Sequence, residues 1–73
     1  MKIAVAGAGA FGTGLAIAAA ANGPVTLWAR DIEAAARMAK ERENAARLPG
    51  HTIPDDVLIT SDIEDLFNAE AIL

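Results

Sequence analysis

The sequence predicts an α/β fold, the N-terminal half of a doubly wound parallel sheet, on three observations. Short apolar runs at residues 2–6, 25–29, 57–60 and 71–73 have the composition of buried strands. Between them lie segments with helix propensity or helical spacing. Four of the six glycines fall between positions 7 and 14, where the first strand passes into the first helix. A β-α-β-α-β-α-β alternation implies parallel strands, right-handed crossovers and helices on both faces of the sheet.

Each element follows from its residues. Lys2-Ile3-Ala4-Val5-Ala6 is the first strand. After the glycines, Leu15 to Ala21 is alanine-rich and helical, and Asn22-Gly23-Pro24 ends it, because glycine caps a C-terminus and proline cannot continue. Val25-Thr26-Leu27-Trp28-Ala29 is a β-branched and aromatic second strand, with Trp28 expected in the core. Asp31 can cap a second helix from Ile32 to about Asn44. Its apolar stripe is expected at Ile32, Ala35, Ala36 and Ala39, with Glu33/Arg37 and Arg37/Glu41 pairs on the other face and Arg42-Glu43-Asn44 as a solvated terminus. Two prolines and a glycine make residues 48–56 a loop, with Asp55 and Asp56 as turn residues. Val57 to Thr60 is a third strand. Ser61 and Glu64 have capping-box spacing for a short helix through about Asn68, and Ala71-Ile72-Leu73 opens a fourth strand.

Length and composition bound the function. At 73 residues the chain is one domain at most, and 18 of its apolar residues are alanine, so its core is thin. Such a chain is expected to be marginal alone, or to associate through an apolar sheet edge beside the fourth strand. A net charge of −4 argues against nucleic acid or anionic membrane as partner. No apolar run approaches the ~20 residues of a membrane span. With no cysteine there is neither a disulfide framework nor a thiolate metal site, and a cytoplasmic location is expected.

Gly7-Ala8-Gly9-Ala10-Phe11-Gly12 is a G-x-G-x-x-G string placed directly after a strand and at the opening of a helix. That context marks the Rossmann-type dinucleotide fingerprint, with a flavin-binding first half of the same fold as its larger competitor and a glycine turn without ligand as the lesser one. Gly7 makes the tight turn, Gly9 lets backbone amides approach a pyrophosphate, and Gly12 lets helix and strand pack closely. The helix N-terminus then faces the anion. Arg30 stands at the end of the second strand, 18 residues past Gly12, where arginine accommodates a 2′-phosphate and an acid binds a ribose hydroxyl. Arg30 therefore favours NADP, with NAD also open through Asp31; the plainer alternative is a solvated Arg30 and an Asp31 that only caps the second helix. Phe11 either covers the phosphates or packs on the domain, and His51 reads as a surface residue. No nucleophile, base and orienter set can be assembled, so no catalytic residue and no metal ligand is assigned.

The blocks Met1 to Ala16, Asn22-Gly23, Val25 to Asp31, Arg42-Glu43-Asn44 and Leu48-Pro49-Gly50, with their spacing, resemble the N-terminus of bacterial NAD(P)-dependent glycerol-3-phosphate dehydrogenases. The resemblance covers essentially the whole chain. It implies interconversion of dihydroxyacetone phosphate and sn-glycerol 3-phosphate for glycerophospholipid synthesis, with Ala10, Phe11 and Arg30 at the NADPH site and Asp31 and Arg47 as further candidates. Against the family pattern, Ala10 replaces a frequent serine, Phe11 a tryptophan or tyrosine, Arg47 an aromatic residue and Gly14 an alanine. The family's catalytic and substrate-binding residues lie beyond position 73, so residues 1–73 are expected to be part of a dinucleotide-binding domain without the substrate domain, and to lack turnover alone. A homodimer remains open. Two alternatives stand beside this: another NADP oxidoreductase such as a ketopantoate reductase, and a free-standing NADP(H)-binding module without catalysis.

Overall fold

Residues 2–73 are described by a computed structural model, and Met1, the first residue of the opening block, lies outside them. Strand β1 is Ile3–Ala6, β2 is Val25–Trp28, β5 is Val57–Thr60 and β6 is Ala71–Ile72. They form one parallel sheet in the order β5-β2-β1-β6, the strand order of a doubly wound half-sheet. Ile3 pairs with Val25 and with Ala71, and Val25 pairs with Val57. Both Ala4 and Val5 are buried, as a central parallel strand covered on two faces requires.

Helix α1 spans Ala10–Ala19 and runs into a 3₁₀ turn at Ala20–Asn22, which Gly23 ends at φ +141°. Helix α2 spans Ile32–Glu41. These two helices cover one face of the sheet, where Val5, Val25, Leu27, Val57 and Ile59 meet Ala16, Ala20, Ala35 and Met38. Each large side chain buried there contributes on the order of 2 kcal/mol. Helix α3, Ile63–Phe67, lies in the β5 to β6 crossover. That crossover runs back across the sheet, so right-handedness puts α3 on the opposite face. Its Leu66 is buried, while Leu58, Phe67 and Ile72 stay exposed.

Several expectations are corrected. The α2 stripe is Ala35 and Met38 with half-buried Ala39, whereas Ile32 and Ala36 are exposed, so the face turned to the sheet is offset from the one the spacing picked out. Its i,i+4 pairs do not close. Among the described residues the ion pair formed is Arg42 with fully exposed Asp55, at 3.8 Å, an arrangement worth little in water. Helix α2 also stops earlier than expected. Arg42 takes a left-handed conformation, φ 54°, and turns the chain.

The segment after Arg42 is not a solvated terminus, nor do residues 48–52 form a loop. Strand β3, Glu43–Asn44, pairs antiparallel with β4, Leu48–Thr52, through a bulge. The small helix α3 is capped one residue later than the capping-box spacing suggested: Asp62, not Ser61, accepts from the Glu64 amide at 3.0 Å. Thr60 supports this turn, accepting from the Asp62 amide and donating to Asp65. Trp28 is half-buried rather than core, and its buried Nε1 has no partner among the described residues.

Candidate functional site

The glycine loop is built by two steric constraints. Gly7 has φ +123°, a conformation that a side chain disfavours, and its amide donates to Trp28 O at 3.0 Å, tying the loop to β2. At Gly12 the reason is proximity: a Cβ there would lie 2.0 Å from Gly7 O. Helix α1 therefore crosses the strand end at a distance only glycine permits.

Gly9 is different. Its Cβ position opens onto empty space, and it borders a cavity of about 460 Å³. It is also the N-cap of α1, where no side chain caps the helix and the first turn holds no acid. The first intrahelical bond is Thr13 N–H to Gly9 O, 2.9 Å. The amides of Ala10 to Gly12 come before it, at the positive end of the helix dipole. An anion fits this cradle.

The cavity joins the elements that the sequence singled out. Ala8 and Gly9 form one side, Arg30 and Asp31 lie at the end of β2, and Arg47 sits in the turn between β3 and β4. Arg30 and Arg47 are both exposed, free to swing toward a ligand. The carboxylate of Asp31 is already engaged in the fold, with Oδ1 accepting from the Glu33 amide at 2.9 Å and from the Ala34 amide at 3.4 Å. Phe11 is 83% exposed and does not pack on the domain. His51 is exposed at the far strand of the hairpin and takes no part. Gly7 and Gly12 shape the loop without bordering the cavity; neither Ala10 nor Phe11 lines it.

Sequence reasoning missed two contributors. Arg37 borders the cavity from α2, together with Ala34, Met38 and Glu41. Their i, i+3, i+4, i+7 spacing was available as a signal. The other is Asn44, which also borders the cavity and is buried against the loop. Only the fold of the α2–β5 connection brings it there. Among the described residues no cluster of His, Cys, Asp or Glu could hold a metal ion, and no helix is long and apolar enough to cross a membrane.

Comparison with known proteins gives this arrangement a lineage. The family model described as the N-terminus of NAD-dependent glycerol-3-phosphate dehydrogenase matches residues 2–73. The glycerol-3-phosphate dehydrogenase (NAD(P)+) of Roseobacter denitrificans is 49% identical over 73 residues, covering 100% of this chain and 23% of that protein. One from Deinococcus radiodurans is 53% identical over 60 residues, 81% of this chain and 18% of its own length. The crystal structure of the glycerol-3-phosphate dehydrogenase of Coxiella burnetii superposes with a TM-score of 0.88 at 32% identity, over 97% of this chain and 22% of that one. The chain thus spans less than a quarter of the length of these relatives.

Proposed function

The chain belongs to the NAD-dependent glycerol-3-phosphate dehydrogenase family, and from that premise we propose that it supplies the adenine and pyrophosphate side of an NAD(P) site. The reaction served is the interconversion of dihydroxyacetone phosphate and sn-glycerol 3-phosphate in the cytoplasm. On this reading residues 1–73 are the first part of a dinucleotide-binding domain. Catalytic and substrate groups are assigned to the portion of the relatives' length that this chain does not span. Membership sets aside the ketopantoate reductase alternative.

The observation that carries the proposal is the uncapped N-terminus of α1, opening beside Gly9 onto the arginine-bordered cavity. The amides of Ala10, Phe11 and Gly12 would hold the pyrophosphate, since unsatisfied N–H groups and the helix dipole both favour an anion there. Phe11, standing free of the domain, would lie over it. Arg30 would pair with a 2′-phosphate and Arg47 would close the adenosine side, with Asp31 fixing the entry to α2 beneath them. When bound, the nicotinamide group supplies the hydride chemistry. The residues of this chain bind and orient.

The test is selectivity. Arg30→Ala is expected to lower NADPH affinity roughly ten- to hundredfold, the worth of a charge-assisted phosphate contact, while leaving NADH within threefold. Titration by nucleotide fluorescence reads both. An unchanged affinity ratio would remove Arg30 from the site.

A further inference from the structure

We propose that Asn44 is a positioning residue of this site, the latch that holds the glycine loop in its anion-binding geometry. The inference rests on the dinucleotide reading above. Asn44 is 5% exposed, and its Nδ2 donates twice, to Ala8 O at 2.8 Å and to Thr13 Oγ1 at 2.8 Å. Since a carbonyl only accepts, the amide orientation is unambiguous. The two acceptors flank Gly9: Ala8 precedes the N-cap, and Thr13, wholly buried, closes the first turn onto Gly9 O. One side chain thus spans the segment in which the anion-binding amides lie.

The consequence comes from peptide planarity. Holding the Ala8 carbonyl oxygen fixes the plane it shares with the Gly9 N–H, which must then point to the other side. Gly9 has no side chain and open space around it, so nothing of its own restricts that plane. Asn44 supplies the restriction from outside. It is itself anchored, because Arg42, two residues earlier, binds back onto the chain: Nε donates to Ile53 O at 3.3 Å, and Nη2 donates to Pro54 O and, at 2.7 Å, to Val57 O. The chemistry demands an uncharged double donor. Aspartate cannot donate at either bond, and it would place a negative charge beside the seat proposed for phosphate.

Asn44→Ala, Asn44→Asp, Thr13→Val and Thr13→Ser are compared with the unmodified chain by urea unfolding and by titration with three ligands: NADPH, ADP, and adenosine 2′-phosphate, which has no pyrophosphate. Asn44→Ala is expected to weaken NADPH and ADP about tenfold each, one hydrogen-bonded anchor's worth, and adenosine 2′-phosphate less than threefold. Asn44→Asp should lose more; Thr13→Val, which removes one anchor of Asn44 and keeps its bond to Ala8 O, should lose about threefold for NADPH and ADP with adenosine 2′-phosphate unchanged; and Thr13→Ser should keep near-normal binding. Equal loss across all three ligands, or unchanged NADPH and ADP binding in the folded variants, would overturn the proposal. If Asn44→Ala does not fold, the Thr13 pair decides by the same criteria. Failure of the unmodified chain to bind NADPH or ADP would instead overturn the dinucleotide reading, and this inference with it.

Discussion

Helices α1 and α2 begin in opposite ways on the same face of the sheet. At α2 the chain fills the N-terminus itself, with Asp31 accepting from two backbone amides and Glu33 in the first turn. At α1 a glycine stands in the cap position, no side chain accepts, and no acid lies in the first turn. Helix α3 is built like α2, with Asp62 as cap and Glu64 and Asp65 behind it. An N-cap carboxylate is worth about 1 kcal/mol to a helix. Where α1 forgoes it, the same unsatisfied amides and dipole are left for an external anion. Capped termini serve stability, and the open one is the terminus proposed above to bind the anion.

The contrast can be broken in three places. Gly12→Ala, the largest effect, drives a Cβ into Gly7 O. The backbone must move, and a loss of roughly 3 kcal/mol in urea unfolding is expected, with nucleotide binding lost beside it. Stability within about 0.5 kcal/mol of the unmodified chain would show that helix and strand can separate at little cost. Gly9→Asp makes α1 resemble α2. The cap conformation, φ −77° and ψ −174°, accepts aspartate, and its Cβ meets nothing. Stability should rise by a few tenths of a kcal/mol while NADPH affinity falls about thirtyfold, because an internal carboxylate then occupies the anion's place. Parallel gains in both quantities would refute the assignment of roles to the two termini.

Asp31 gives the smallest effect and separates its two candidate roles. Asp31→Ala should cost about 1 kcal/mol of stability through the lost cap, and Asp31→Asn should restore most of it, since asparagine caps equally well. A cap-only residue leaves NADH affinity within threefold in the asparagine variant. A fall of tenfold or more there, read by titration, would assign the carboxylate to the ribose as well.

Local rules made much of this legible. The strand runs, the glycine string and the Gly23-Pro24 stop are written in short windows, and the structure places all of them within a residue or two. The elements misassigned outright lie in residues 42–52. Nothing local ends α2 at Glu41, because Arg42 is an ordinary helix former whose left-handed conformation carries a cost. It is held there by carbonyls 11 to 15 residues away. Leu48-Pro49-Gly50 likewise has loop composition, and becomes a strand only because Glu43 and Asn44 present a partner.

By itself, then, the sequence determined the order of strands and helices that build the parallel sheet, and the steric need for glycine at positions 7 and 12. Periodicity, propensity and backbone sterics act over a few residues, so they can be read without coordinates. The tertiary structure alone decided which arginines share a cavity with Gly9, that Asp31 commits its carboxylate to a cap, and that Asn44 crosses 36 residues of chain to hold Ala8. A hydrogen bond or clash between residues distant in sequence depends on how the whole chain packs, and no local pattern encodes that distance.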